Sequence, residues 1–402
     1  KNRYIFETLE CRGPDGKGYY FNQKNNIEFF HTRLSIIDLK NASQPMQDYD
    51  KNLVITYNGE IYNHVELKKN LKLSQRYFKT SHSDTETLLY SYKVFGLDMF
   101  KKIDGMFAFG IYDLRKNQII IARDRVGEKP LYYFYDGKDF AFSSNLKALK
   151  LNKKSEISNL NLQKYFAYGF NPGSTTLFKN FYKLEPGTFL IFDIISRKIK
   201  IKRYWSFKKR EEIERSINEN ELIEELDDLI KQSIIRTSAA DVDIGVFLSG
   251  GIDSSILAAY AKKYLNKNFE TFSLGFSEKS FDETYHIQKV SNHLGLKNNI
   301  KKISINDLEK EMIMLMKNID EPFCDPSIIP TSILSGFARK KVKVVMSGDG
   351  GDELFYGYDT FKALNYATFL KKFLPNQLIK KLEKVFNYLP VSHNNMSLDF
   401  KI

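Results

Sequence analysis

Two glycine-rich strings hold the residues best suited to chemistry. The first, "FLSGGIDSS" from Phe247 to Ser255, stands between an apolar run and a helical pattern, where free N–H groups and the helix dipole favour an anion. Gly250 and Gly251 let the backbone close around phosphate oxygens, and the hydroxyls of Ser249, Ser254 and Ser255 can donate to them. No lysine accompanies the glycines to grip a terminal phosphate. Asp253 would repel phosphate unless a divalent cation lay between, which argues for Mg²⁺. The second string, "VKVVMSGDGGDELFYGY", sets Asp349, Asp352 and Glu353 among Gly348, Gly350 and Gly351. Three acids among glycines are poor company for bare phosphate and indicate metal ligation or orientation of a substrate. A serine-capped glycine turn and an acidic surface turn are the plainer readings of these strings. Both lose ground because each string follows a buried-strand pattern.

The elements that must position these strings fall into two rhythms. From about 17 to 200, short strand signals alternate with turns: "NLVITYNGEIYN", "GMFAFGIYD", "NQIIIARD", "PLYYFYDGKDFAFSS" and "GTFLIFDI". Helical stretches are expected from His64 to Lys72 and from Asp84 to Val94, so this half reads as α+β, helices on stacked sheets. The charged run "KKREEIERSINEN" then marks a linker or a first helical turn, and Leu222, Leu226, Leu229, Ile230 and Ile234 trace a helix stripe. Beyond it strand and helix alternate, "IGVFL", "SSILAAYAKKYL", "ETFSLGF", "ETYHIQKVSNHLG", "IKKISI", "DLEKEMIMLM", "ILSGFARK" and "VKVVMS". That alternation predicts a parallel sheet covered by helices, with ligands at the carboxyl ends of its strands, where both glycine strings lie.

A chain of 402 residues can hold two or three cores of ordinary domain size. At 42% hydrophobic and 27% charged it has a globular composition, and no apolar run approaches the roughly 20 residues that cross a bilayer, so no membrane partner is expected. Two cysteines, Cys11 and Cys324, argue against a disulfide scaffold and fit a reducing, cytoplasmic location; the first 20 residues lack a secretory pattern. The net charge of +12 is spread along the chain and reads as a solvated lysine-rich surface, with no nucleic-acid partner expected.

The string "FLSGGIDSS" after a buried strand resembles the pyrophosphate loop of the ATP pyrophosphatases, which split ATP into AMP and pyrophosphate while adenylating a substrate. Together with "SGDGGDE" and "EPFCDPSIIPTSILS" it is similar to the synthetase domain of the glutamine-dependent (class B) asparagine synthetases. The resemblance implies that Leu248, Ser249, Gly250, Gly251, Ile252, Asp253, Ser254, Leu274, Ser347 and Gly348 hold ATP. It further implies that Asp253 and Asp352 hold Mg²⁺, that Asp349 assists adenylation, and that Cys324 is a packed or loop thiol.

The strings "CRGPDGKG", "HTRLSIIDL", "YNGEIYNH", "SHSDTET", "GMFAF" and "RDRVGEKPLYY" resemble, in the same order, the glutaminase domain of that family. The implied architecture is an α+β N-terminal-nucleophile glutaminase sandwich over 1–205, followed by an α/β parallel-sheet, Rossmann-like ATP-pyrophosphatase domain over 206–402. By resemblance Arg33 holds the glutamine carboxylate, Leu34, Ser35, Ile36 and Ile37 line the pocket, Glu60 and Asp84 meet the amino group, and Asn58 and Gly59 form an oxyanion hole. Read blandly, Asn58-Gly59 is a hairpin turn. The family's nucleophile is an N-terminal cysteine, and none is present here. Cys11 precedes "RGPDG" and takes no catalytic role. Either the sequence begins and ends part-way through a longer protein, as Lys1 and "SLDFKI" suggest, or this half has lost its nucleophile and serves as a scaffold. The implied reaction is amidation of aspartate through β-aspartyl-AMP with ammonia from glutamine, in a homodimer by analogy. Amidation of another carboxylate, such as a polysaccharide uronic acid, and a non-catalytic ATP-binding role are the alternatives.

Overall fold

The computed structural model describes residues 2–373 except 152, 208–217, 266–267 and 279–280. Most of the charged run after Trp205, and the "SLDFKI" terminus, lie outside the described residues. The chain forms two compact units interleaved along the sequence. The first comprises Lys1–Asp243, Glu309–Ile333 and Val342–Val344; the second comprises Ile244–Leu308, Leu334–Lys341 and Val345–Ile402.

The first unit opens with α1 (Asn2–Leu9) and the hairpin β1 (Gly16–Asn22) and β2 (Ile27–Arg33). There follow β3 (Met46–Gln47), β4 (Leu53–Ile61), α2 (His64–Asn70), α3 (Asp84–Phe95), β5 (Gly105–Asp113) and β6 (Gln118–Arg123). Then come β7 (Tyr132–Tyr135), β8 (Phe140–Ser143), α4 (Leu146–Lys150), α5 (Asn159–Tyr168), β9 (Phe181–Lys183), β10 (Thr188–Asp193) and β11 (Ile199–Arg203). Six strands make one antiparallel sheet in the order β11-β10-β6-β5-β4-β3, and β8-β7-β9 make another.

Successive residues of the long strands point to opposite faces, and both faces are dry. Leu53, Ile55, Phe107, Phe109, Ile111 and Ile120 meet Leu88, Leu89 and Tyr92 of α3 on one side. Val54, Ala108, Tyr112, Ile119 and Ile121 meet Phe29, Leu131, Tyr133 and Phe142 from β2, β7 and β8 on the other. Such two-sided burial explains why β5 reads "GMFAFGIYD", nearly unbroken in apolar residues. With α4 against β7 and β8, and α1 against β2, the layers run helix, sheet, sheet, helix. This is the α+β sandwich the strand pattern predicted.

The helix α6 (Glu219–Thr237) follows, and Asn218 caps it by accepting from the Asn220 N–H at 3.1 Å. The apolar stripe of Leu222, Leu226, Leu229, Ile230 and Ile234 lies on this helix, as the sequence pattern indicated. Ile234 is buried, whereas Leu222, Leu226 and Leu229 are exposed among the described residues.

The second unit holds β12 (Ile244–Phe247), α7 (Ile252–Tyr264), β13 (Glu270–Phe276), α8 (Thr284–Leu294) and β14 (Asn298–Ile303). The chain then passes through α9 (Ile305–Asn318), α10 (Ile328–Ala338), β15 (Val344–Met346), α11 (Gly351–Phe355) and α12 (Asp359–Phe373). The strand order is β14-β13-β12-β15, with β12, β13 and β14 mutually parallel. Strand order reverses between β12 and β15, the place where open α/β sheets bind ligands. The α/β class follows the alternation in the sequence.

Candidate functional site

Strand β4 lies between β5 and the short edge strand β3 of the first unit's large sheet and carries Asn58, Gly59 and Glu60. The hairpin reading of Asn58-Gly59 does not hold: Asn58 pairs with Ala108 and Gly59 with Phe107 inside the ladder. Gly59 is required there by close approach. A Cβ on it would stand 2.1 Å from the Met106 carbonyl oxygen and 2.7 Å from the Phe107 Cα, at a φ of +157°.

A cavity of about 660 Å³ opens beside this strand, in the range of small-molecule sites. Arg33, Leu34, Ile36, Ile37, Asn58, Gly59, Glu60 and Asp84 all line it. Ser35 does not. It is buried away from the wall, and its N–H donates to Asp15 at 2.9 Å.

Among the described residues, two polar atoms in this wall are buried without a partner: Asn58 Nδ2 and Glu60 Oε1. Buried polar groups are almost always satisfied, so orphans aimed at a cavity mark where a ligand would bond. Glu60 is only 5% exposed, and burial, with the neighbouring Asp84 charge, pushes its carboxyl up to about 8 against a weaker pull from Lys129. Asp84 is also raised by burial, although it accepts from Tyr57 Oη at 2.8 Å, the Ile61 N–H at 3.2 Å and the Thr85 N–H at 2.8 Å. Its place at the start of α3 is set by Ser83, whose side chain caps the helix, and by Glu86, which reaches back to the Lys79 and Thr80 N–H groups.

Arg33 faces the cavity but is tied to its own loop. Nη1 donates to the Leu39 carbonyl at 3.1 Å, and Nη2 donates to those of Ile37 at 3.1 Å and Asp38 at 2.8 Å. Burial lowers its proton affinity, opposed by Asp38, Asp15 and Asp84, and it remains a cation at any ordinary pH.

Sequence reasoning passed over two residues of the cavity wall. Lys129, in the quoted "GEKPLYY", lines the wall and is lowered by burial. His31 is held near 4 by burial and by Arg33, so it is neutral, and its Nδ1 lies 3.1 Å from Thr56 Oγ1. Asp38, behind the wall, holds Arg33 through its carbonyl and was passed over as well. Only the motifs around His31 and Lys129, "HTRLSIIDL" and "RDRVGEKPLYY", were visible in one dimension. Cys11 is exposed, absent from the cavity wall and without catalytic contacts.

In the second unit the two glycine strings follow β12 and β15 and meet each other. Gly250 has a φ of +83°, and a Cβ on it would stand 2.9 Å from the backbone of Ile287. Leu248 is buried at the strand end, and its N–H donates to the Phe272 carbonyl at 3.0 Å. Ile252, Asp253 and Ser254 form the first turn of α7, as an anion-binding helix start requires. Ser249 and Ser254 share a 2.9 Å hydroxyl contact. The Ser255 hydroxyl donates to the Gly251 carbonyl at 2.6 Å, and that of Ser254 reaches the same carbonyl at 3.2 Å. A Cβ on Gly348 would lie 3.0 Å from that of Asp253, and one on Gly351 would lie 2.5 Å from Asp253 Oδ2, so glycine at both places makes room for this carboxylate. Gly357 likewise leaves space for the Asp352 carboxylate. Asp349 accepts from the Ser347 hydroxyl at 2.8 Å and is exposed, while Leu274 is half-buried in β13.

Among the described residues no three of His, Cys, Asp and Glu are grouped to hold a metal ion on their own. Cys324 is an exposed loop thiol 3.1 Å from Tyr165 Oη. Nor is any helix among the described residues long and apolar enough to cross a membrane.

The first unit thus holds a cavity with a buried amide and a buried carboxyl in its wall, and the second a glycine-serine loop at a parallel-sheet switch point. The chain matches the glutamine amidotransferase domain model over residues 2–205 and the asparagine synthase model over residues 225–397. It is 38% identical to a Methanocaldococcus jannaschii protein named "Putative asparagine synthetase (glutamine-hydrolyzing) 2", over 96% of this chain and 76% of that one. It is 36% identical to asparagine synthetase (glutamine-hydrolyzing) 1 of Bacillus subtilis strain 168, over 98% of this chain and 61% of that one. The chain belongs to the glutamine-hydrolysing asparagine synthetase family, and it spans about three fifths to three quarters of the length of these relatives.

Proposed function

We propose that the protein amidates the side-chain carboxylate of aspartate to give asparagine, activating it with ATP as β-aspartyl-AMP and drawing ammonia from glutamine. Residues 1–205 would supply the glutaminase and 206–402 the synthetase. The observation that carries the reading is the pair of unpartnered buried atoms, Asn58 Nδ2 and Glu60 Oε1, in one cavity with Arg33 and Asp84. The ends of an amino acid match this set. The α-carboxylate meets a guanidinium, the α-ammonium meets Glu60 and Asp84, and the amide oxygen meets the Asn58 amide and the Gly59 N–H.

On the synthetase side, the free N–H groups at the start of α7 and the Ser249–Ser254 loop would hold phosphate. Asp253 and Asp352, each given space by glycine, would hold Mg²⁺ together with phosphate oxygens, since the described carboxylates do not enclose an ion unaided. Such an ion neutralises charge on the pyrophosphate leaving group. Asp349, which accepts from the Ser347 hydroxyl, would assist adenylation of the acid. A homodimer and a cytoplasmic site of action accompany this reading by analogy with the family.

The test is to supply the full-length protein with ATP and Mg²⁺, aspartate, and either glutamine or ammonia, and to measure asparagine, AMP and glutamate. Pyrophosphate release with a different acid and none with aspartate would overturn the choice of substrate. Asparagine made from ammonia but no glutamate from glutamine would overturn the glutaminase half.

A further inference from the structure

The loop from Leu34 to Asn41 carries Leu34, Ile36 and Ile37 of the cavity wall, and part of what holds its backbone comes from far along the chain. Asp241 clamps it at two points. Its N–H donates to the Ile36 carbonyl at 3.1 Å, and its Oδ2 accepts the Asp38 N–H at 2.8 Å. His82 Nε2 lies 2.6 Å from the same Oδ2, and His82 Nδ1 lies 2.7 Å from the Ser81 hydroxyl.

Between these points Asp38 adopts a φ of +48°, a left-handed conformation that non-glycine residues seldom hold without support. Its side chain is 3% exposed and accepts from the N–H groups of Asn41, Ser81 and His82 and from the Ser81 hydroxyl. Burial alone would raise this carboxyl, but those donors outweigh it and hold it below the usual range. The Asp38 carbonyl, turned by that conformation, takes the 2.8 Å hydrogen bond from Arg33 Nη2. A continuous set of contacts therefore runs from Asp241 through Asp38 to the guanidinium.

We infer that Asp241, backed by His82, is a positioning residue for the amino-acid pocket: it sets the loop turn at Asp38 that aims Arg33. Neither residue lines the cavity, so neither touches the ligand. The inference rests on the reading of that cavity as the glutamine site.

The experiment measures the dissociation constant of glutamine by calorimetry for the wild-type chain, Asp241→Ala and Asp241→Asn, with AMP titrated separately as a probe of the ATP loop. Asp241→Ala is expected to weaken glutamine by roughly tenfold or more, as loss of orientation does, and to leave AMP within twofold. Asp241→Asn keeps a carbonyl oxygen for the Asp38 N–H and is expected to restore most of the affinity. Hydrogen exchange at Asp38 and Ser81 should quicken in Asp241→Ala only. If wild type binds glutamine and Asp241→Ala binds it equally well, the positioning role is wrong while the pocket stands. If Asp241→Ala loses glutamine and AMP together, the residue is merely structural and the inference fails. If wild type binds AMP but no glutamine, the reading of the cavity fails and takes the inference with it.

Discussion

Replacing Glu60 by Gln tests the cavity at its most strained point. Glu60 is a carboxyl whose folded-state value near 8 stands well above its ordinary 4.5 because of burial and the Asp84 charge. Asp84 has three donors and Glu60 Oε1 has none, so a proton shared by the two acids resides on Glu60. A carboxyl raised on folding binds more protons in the native state than in the unfolded one. Its stability contribution is therefore full below about pH 4.5 and is lost as pH rises to about 8, at about 1.4 kcal/mol per unit. By pH 7 the handicap amounts to roughly 3 kcal/mol. Denaturant unfolding between pH 5 and 8.5 should show a falling stability in wild type and a flatter profile in Glu60→Gln, which should be more stable by roughly 2–3 kcal/mol at pH 7 to 8. Glutamine binding should move the other way. An α-ammonium needs the ionised acid, so wild-type affinity should tighten by roughly tenfold per unit from pH 6 towards 8, with a proton released on binding. Glu60→Gln should bind weakly and without that dependence. A wild-type stability that does not change over this range, or a variant that binds glutamine as tightly as wild type at pH 8, would refute the reasoning.

Three further changes probe other parts of the molecule. In the full-length enzyme, Asn58→Ala should lower glutaminase kcat by about 10²–10³ with little change in the KM for glutamine, because it removes an oxyanion donor; an unchanged kcat would exclude that role. Gly351→Ala would place a Cβ 2.5 Å from Asp253 Oδ2 and should weaken AMP and ATP binding while leaving glutamine binding intact, as paired calorimetric titrations would show. Lys183→Met would leave Glu321, whose side chain is 10% exposed, with the Leu177 N–H at 2.7 Å but without its ammonium partner at 3.0 Å. It should cost about 3 kcal/mol, seen as a lowered midpoint in urea.

Much of this protein was legible along the chain. The strands "GMFAFGIYD" and "ETFSLGF" begin and end where their patterns do, because runs bounded by turn residues and buried on both faces carry strong local signals. The hairpin β1–β2 and the short helices α4 and α5 were not picked out, being short and only partly buried, with exposed Tyr19 and Phe166 blurring their periodicity. Both glycine strings announced strand-to-helix loops, since a bend that admits an anion requires those residue types wherever it occurs.

What one dimension could not contain was the company each residue keeps. Asn58-Gly59 has the spelling of a hairpin, and only the pairing with Ala108 and Phe107 turns it into the middle of a strand. That Asn58 Nδ2 and Glu60 Oε1 lack partners, that Asp84 raises Glu60, and that Asp241 reaches back 203 residues to Asp38 are facts about distance through space. Sequence determines which residue types are present and the local conformations they favour. Burial, charge coupling and hydrogen-bond satisfaction depend on what packs against what, and tertiary structure alone decides them.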